Sequence, residues 1–381
     1  MNEKEKLLKE RLKLFDDAMR IEETRRVPCV SNAFTWKIFD SDLHISVLEA
    51  TTQWDTDIME RIVREHIERY NFDAYLDLGT RDNFSYNQIL GRSEHYIDES
   101  GNISAKDDPK LFPEEYEAVT ENATMFQWCV VAPRVYGSLT FGQIEDAVKA
   151  LINYTAYYDR MNNIVHREYG VPALAQRLLM HPTDNLISYY RGLKGFSLDM
   201  RRNPEKIEAY VEKNSTGFLE TAKYYLQMPR EQELFGIYTG FLGHNIMNGK
   251  QFARFFYPVW KKAMDLCIEN EKSMMIYAEG STVRIREFLQ DIPKGYLCIF
   301  PETDDLFDLR RACPNACIAG GMSVDMLGIS TKQECVDAAK NFVDNMGPGY
   351  IFSQNKMMTY RRDGTRENML AVQEVVLQNR Y

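Results

Sequence analysis

Glu279 stands at the end of an apolar run, Met274 to Ala278, and is followed by Gly280. A carboxylate in that position is costly unless a metal ligates it, donors hold it or a proton neutralises it, which favours a functional role. The bland reading is a carboxylate that caps the following helix. Glu302 lies in "FPETDDLF", where it has a functional reading and a capping reading of equal standing; for Asp304 and Asp305 capping is preferred. His244, in "GFLGHNIMNGK" between glycines, could reach a metal or act as a general acid near neutral pH, set against a solvated loop histidine. His181 in "LLMHPTD" has similar standing, its alternative being a turn residue held extended by Pro182. Glu279, Glu302 and His244 together would offer O and N ligands to zinc and leave a fourth position open.

These residues follow short β-rich runs, and the runs are the elements that must position them. Eight are counted: Arg26 to Ser31, Ala74 to Leu78, Ala173 to Leu179, Leu234 to Thr239, Met274 to Ala278, Tyr296 to Phe300, Ala316 to Ala319 and Tyr350 to Ser353. Each precedes a longer stretch with helical apolar spacing, such as Asp57 to Tyr70, Lys250 to Glu269 and Thr331 to Met346. Eight such units predict an α/β fold, a (β/α)₈ TIM barrel in one domain over 1–381, with an N-terminal helical extension. The stretch Ser85 to Gly170 fits the scheme worst and predicts inserted helices, including Gln143 to Tyr169; Leu90 to Pro113 reads as an irregular excursion.

A barrel carries its chemistry at the C-terminal ends of its strands. Asp77 and Arg81 after the second run, Tyr238 in the fourth and Gln354 after the eighth therefore join the candidates as substrate-binding residues, with His181 after the third. Asp77 and Arg81 bracket Gly79 and could pair with each other as readily as with substrate. Phe34, Trp36, Phe84, Tyr238, Phe241 and Tyr360 could wall an apolar pocket or belong to the core.

A formal net charge of -10 with no basic stripe argues against nucleic acid binding. The start, Met1 to Arg26, is charged and amphipathic, and no run of about 18 apolar residues occurs, so neither a signal peptide nor a membrane span is expected and the cytosol is the expected location. Seven cysteines lack zinc-ribbon or CxxC spacing and read as buried thiols; packing is favoured for Cys313 and Cys317.

The segments "PKGYLCIF", "ACIAGGMSVDMLGISTKQECVDAAKNFVDNMGPGYIFS" and "TRENMLAVQEVV" resemble the C-terminal half of uroporphyrinogen decarboxylase-like proteins. "KQFARFFYPVWKKAMDLCIENEKSMMIYAEGS" looks like the helix and strand before it, and "RRVPCVSNAFTWK" like the first strand, so the resemblance spans most of the chain except roughly Ser85 to Gly170. True decarboxylases of this kind carry an Arg-rich "RQAGRY"-like segment where this chain has "SNAFTWK". The branch that remains is made of methyltransferases working with corrinoid proteins, including those that demethylate aromatic methyl ethers.

Within that branch the Ala-Glu-Gly turn implies a site role for Glu279. The chain then departs from the pattern: the histidine expected 21 residues on is Phe300, and the acidic position 15 residues before is Met264. The His-x-Cys pair of thiol-methylating relatives is replaced by Tyr277 and Glu279. The resemblance implies a corrinoid-dependent methyltransferase taking a methyl group from a small methyl ether, aromatic ethers included. A partner protein would carry the corrinoid, zinc would bind only through rebuilt ligands, and a homodimer is in keeping with relatives. Gly320 and Gly321 would let a corrinoid approach the barrel mouth or simply make a turn. Two other readings stay open: a metal-independent decarboxylase or lyase, and a binding protein.

Overall fold

The computed structural model describes residues 2–53, 56–76, 89–90, 95–174, 178–228 and 232–379, and the side chains of 95 and 105 are not described. Nine strands are described: β1 Val30–Ser31, β2 Ala74–Tyr75, β3 His95–Ile97, β4 Ile103–Ala105, β5 Ile237–Phe241, β6 Met274–Ala278, β7 Leu297–Pro301, β8 Cys317–Met322 and β9 Tyr350–Gln354. β5 to β9 form a parallel sheet in chain order, and β1 pairs with β2 in parallel. Between these lie single parallel bridges, Cys29 to Phe352, Tyr75 to Ala173, Ala173 to Glu233 and Leu178 to Tyr238. The fold is mixed α/β around a parallel sheet, and the continuous ladder stops at five strands.

The apolar runs locate the strands, with shifts at their ends. The fourth run was expected at Leu234 to Thr239 but pairs as Ile237–Phe241, in register with β6. The third, Ala173 to Leu179, contributes bridges at Ala173 and Leu178, while 175–177 lie outside the described residues. The excursion expected to be irregular contains the antiparallel hairpin β3–β4, turned at Gly101 with φ +78. Lys250 to Glu269 is two helices, Gly249–Phe255 and Tyr257–Glu269, because Pro258 has no N–H to continue the ladder. Thr331 caps Lys332–Asn345 by accepting from Glu334 N.

Two apolar clusters show which way each strand faces. The inner one takes Val30, Ala74, Met275, Tyr277, Cys298, Phe300, Cys317, Ala319 and Ile351 from the strands; the outer one takes Ile237, Ile276, Ile299, Ile318 and Phe352 against the helices. Phe15, Ala18 and Met19 of α1, Glu3–Met19, join the inner cluster. The chain just past α1 lies beside the N-terminal ends of β7 and β9, since Ile21 packs at Gly349 and Arg20 near Gly295. Thus α1 covers that end and the C-terminal ends are left for the site. Another long helix, α2, runs Phe141–Tyr169 between β4 and Ala173, starting two residues before the expected Gln143.

Candidate functional site at the strand ends

Alternation along β6 turns Met275 and Tyr277 inward, so Glu279 also falls on the inner side, just past the strand. On β7 the inward residues are Cys298 and Phe300, and Glu302 follows with the same parity. Ala278 is paired with Pro301, which places the two glutamates side by side on neighbouring strands. Both are partly exposed.

Glu302 is the better anchored. Its Oε1 accepts from the Tyr277 hydroxyl at 2.8 Å, and its Oε2 accepts from Gly280 N at 3.1 Å. Tyr277 is buried, and burial next to the Glu302 charge pushes its phenol far above the ordinary range, so it stays a proton donor. The chain after β9 straps this corner. Asn355 Nδ2 donates to Glu302 O at 2.8 Å, Met357 N donates to the Tyr277 oxygen at 3.1 Å, and Met358 N donates to Asn32 O at 2.9 Å. Gly280 has φ +89, and a side chain there would run into Asn245.

Asp304 and Asp305 divide the capping work. Asp305 accepts from Asp308 N at 2.9 Å and caps Leu306–Ala312. Asp304 is no cap: it accepts from Ser281 Oγ at 2.6 Å and Thr282 N at 3.1 Å, and pairs with Arg286 at 3.2 Å, fixing the loop behind Glu279.

His244 is not solvated. It is buried beside Phe241, neither ring nitrogen has a hydrogen-bond partner, and burial lowers its pKa to about 4, with the nearby carbonyls of Phe241 and Ser281 opposing part of the shift. At neutral pH the ring is uncharged, so the expected imidazolium acid is not formed. Asp184, which the sequence reading passed over, accepts from Gly243 N at 2.8 Å and Leu242 N at 3.3 Å. Burial raises its pKa to about 7, the two N–H groups oppose this, and the charge of Glu279 adds to it.

The zinc triad is not assembled. Glu302 turns its oxygens to Tyr277 and Gly280, whereas His244 lies on the outer side with Phe241. Among the described residues no three His, Cys, Asp or Glu are grouped to hold a metal. Cys313 and Cys317 are buried, and burial keeps the Cys313 thiol protonated with a pKa of about 11.

The remaining candidates separate. His181 has the extended backbone expected before Pro182; its Nδ1 accepts from Thr183 N at 3.2 Å and its ring stacks on Phe256 at 3.9 Å. Tyr238 is half-buried against the inner cluster. Gln354 faces outward: Oε1 accepts from Asn32 N at 2.9 Å, and Nε2 lies 3.9 Å from the Met369 sulfur. Its neighbour Ser353 and Asn32 take the inward parity, are fully buried, and have side-chain polar atoms without partners. Asp77, Arg81 and Phe84 lie outside the described residues. Trp36 and Phe241 belong to the outer core, Phe34 packs inside and Tyr360 is exposed. A side chain at Gly320 would strike Phe300 and one at Gly321 the Tyr350 hydroxyl, so both glycines, at φ +108, answer to internal packing.

A family profile described as uroporphyrinogen decarboxylase (URO-D) matches residues 173–359. This stretch is a URO-D family domain. The domain begins where the predicted insertion ends and contains Tyr277, Glu279 and Glu302. The fold is similar to that of a methyltransferase from Methanosarcina mazei, with a TM-score of 0.61, 12% identity, and coverage of 96% of this chain and 97% of that one. At that identity the likeness is one of fold. No curated protein matches the chain. No helix among the described residues is long and apolar enough to cross a membrane.

Proposed function

We propose that this URO-D domain chain is a cytosolic methyltransferase that moves a methyl group from a small, aromatic methyl ether to a corrinoid carried by a separate protein. The observation that carries this reading is the pair Glu279 and Glu302 at the ends of β6 and β7, with Glu302 fixed by Tyr277 and Gly280 N. The full-length likeness to a methyltransferase fold supports it. The same reading takes the sheet as an eight-stranded (β/α)₈ barrel in one domain, its ring completed by the single bridges at Cys29, Tyr75, Ala173 and Leu178.

The partner's corrinoid would supply the nucleophile that accepts the methyl group. Breaking the carbon–oxygen bond leaves an oxyanion, which needs a proton or a Lewis acid. The described residues do not fit a zinc site, so the proton is assigned to Glu279, which delivers it to the leaving oxygen. Glu302, held by its two donors, stands beside Glu279 at the strand ends and fixes that corner of the site. The inner aromatic residues Phe34, Tyr277 and Phe300 exclude water and suit an aromatic ring.

The test is methylation of cob(I)alamin by a panel of methyl ethers, with Glu279→Gln beside the wild type. Methylcobalamin formed by the wild type and lost in the variant is expected. Carbon dioxide release without methyl transfer would replace this reading by the metal-independent decarboxylase. Tight binding without turnover, unaffected by Glu279→Gln, would make the chain a binding protein.

A further inference from the structure

Val30 on β1 and Ile351 on β9 face the inner cluster, and two residues further along each chain segment come Asn32 and Ser353. The residues beside them face away: Ser31 Oγ bonds His66 Nε2 at 2.9 Å, and Gln354 lies against Met369. Alternation therefore aims Asn32 and Ser353 into the interior, and the bridge from Cys29 to Phe352 makes them diagonal neighbours. Both are fully buried. The backbone of Asn32 is paired on both sides, its N donating to Gln354 Oε1 at 2.9 Å and its O accepting from Met358 N at 2.9 Å. Its side-chain Nδ2 and Oδ1 have no partner, and neither has Ser353 Oγ. Unpaired polar atoms gathered in one place are costly, because a buried amide or hydroxyl has given up water without compensation. The strap after β9 that holds Tyr277 through Met357 N and Glu302 through Asn355 also holds Asn32 through Met358 N, so the pair and the two glutamates belong to one mouth.

We propose that Asn32 and Ser353 form a recognition subsite for an uncharged group that both donates and accepts hydrogen bonds, a hydroxyl or a primary carboxamide, at the end of the substrate remote from Glu279. Asn32 needs an acceptor for Nδ2 and a donor for Oδ1, and the Ser353 hydroxyl serves as either. A carboxylate supplies no donor. The basic residues of the adjoining segments are directed elsewhere: Lys37 donates to Ala33 O at 3.0 Å and Phe34 O at 2.9 Å, and Lys356 pairs with Asp325 at 3.6 Å. β8 separates the pair from Glu302, and with Gly321 in register with Ser353 it puts no side chain between them at that level. Met357, half-buried on the inner cluster, is the flexible cover that the entering group displaces. The inference rests on the strand ends being the substrate site and not on the methyl transfer assigned there.

The test is titration calorimetry of the full chain with para-methoxyphenol, para-methoxybenzamide, para-methoxybenzoate and anisole. The phenol and the amide should bind the wild type roughly tenfold or more tighter than anisole, and the benzoate no tighter than anisole. Asn32→Leu and Ser353→Ala should each shrink that preference while leaving the affinity for anisole in place. Asn32→Leu should also melt no lower than the wild type, since it removes an unpaired amide. An amide that serves structure alone would instead lower the melting temperature and leave the preference intact, which overturns the proposal. So does equal binding of anisole and the phenol, tightest binding of the benzoate, binding of none of the four, or a preference untouched in both variants. Methyl transfer from the same ethers is a separate readout: preference without turnover fails the reaction alone, and turnover without preference fails the subsite alone.

Discussion

The hydroxyl of Tyr277 donates to Glu302 Oε1 at 2.8 Å while accepting from Met357 N at 3.1 Å. One buried phenol thereby ties a site carboxylate on β7 to the strap after β9. Replacing Tyr277 by Phe leaves Met357 N without its acceptor and Glu302 without one donor. A stability loss of about 1–3 kcal/mol is expected in urea denaturation. Methyl transfer should fall by roughly 10–100-fold in kcat at temperatures where the variant is folded. Activity per folded molecule equal to wild type would show that the bond serves structure alone.

Glu279→Gln keeps the size of the side chain and removes its ionisable carboxyl group. The expected result is a loss of roughly 10²–10⁴-fold in turnover with little change in melting temperature. A second readout is electrostatic. Glu279 helps raise the Asp184 carboxyl, so its removal should lower the Asp184 pKa from about 7, followed by carbon-detected NMR of the carboxyl.

Asp184 also sets a pH dependence of stability. Its carboxyl rises from 3.8 to about 7 on folding, so the unfolded chain releases that proton first as pH increases. Stability from this group is present below about pH 4 and is lost as pH rises through 7. His244 and His181 act in the other direction. Their folded pKa values fall from 6.5 to about 4 and about 3, so their contribution is full above 6.5 and is lost as pH falls. Asp184→Asn should therefore gain a few kcal/mol relative to wild type between pH 4 and 7, read by denaturation at stepped pH. Parallel curves for the two proteins would refute the assignment.

Gly280→Ala tests the turn that carries Glu279. With φ +89 and Asn245 in the way of any Cβ, the substitution should cost about 1–3 kcal/mol and shift the N–H that holds Glu302 Oε2. Activity should fall with stability, and Gly249→Ala, on an ordinary φ near Glu287, should leave activity in place.

Much of the architecture is legible before any folding. The run Met274 to Ala278 is β6 to the residue, Thr331 caps its helix, and the extended His181 follows from the ring of Pro182. Glu279 stands out for the same local reason: a charge directly after a five-residue apolar run requires explanation. What the chain alone leaves open is direction. A parallel strand buried on both faces carries no polar alternation, so its residues bear no mark of inside or outside. Only the packed sheet shows that Gln354 turns away from the interior while Ser353 and Asn32 turn into it. Partnership is decided in the same way. Tyr277 and Glu302 are 25 residues apart in sequence and meet because β6 and β7 lie in register. Burial then completes the chemistry, leaving His244 uncharged and Asp184 protonated to near neutrality, since a shifted pKa depends on how much water the surrounding fold removes.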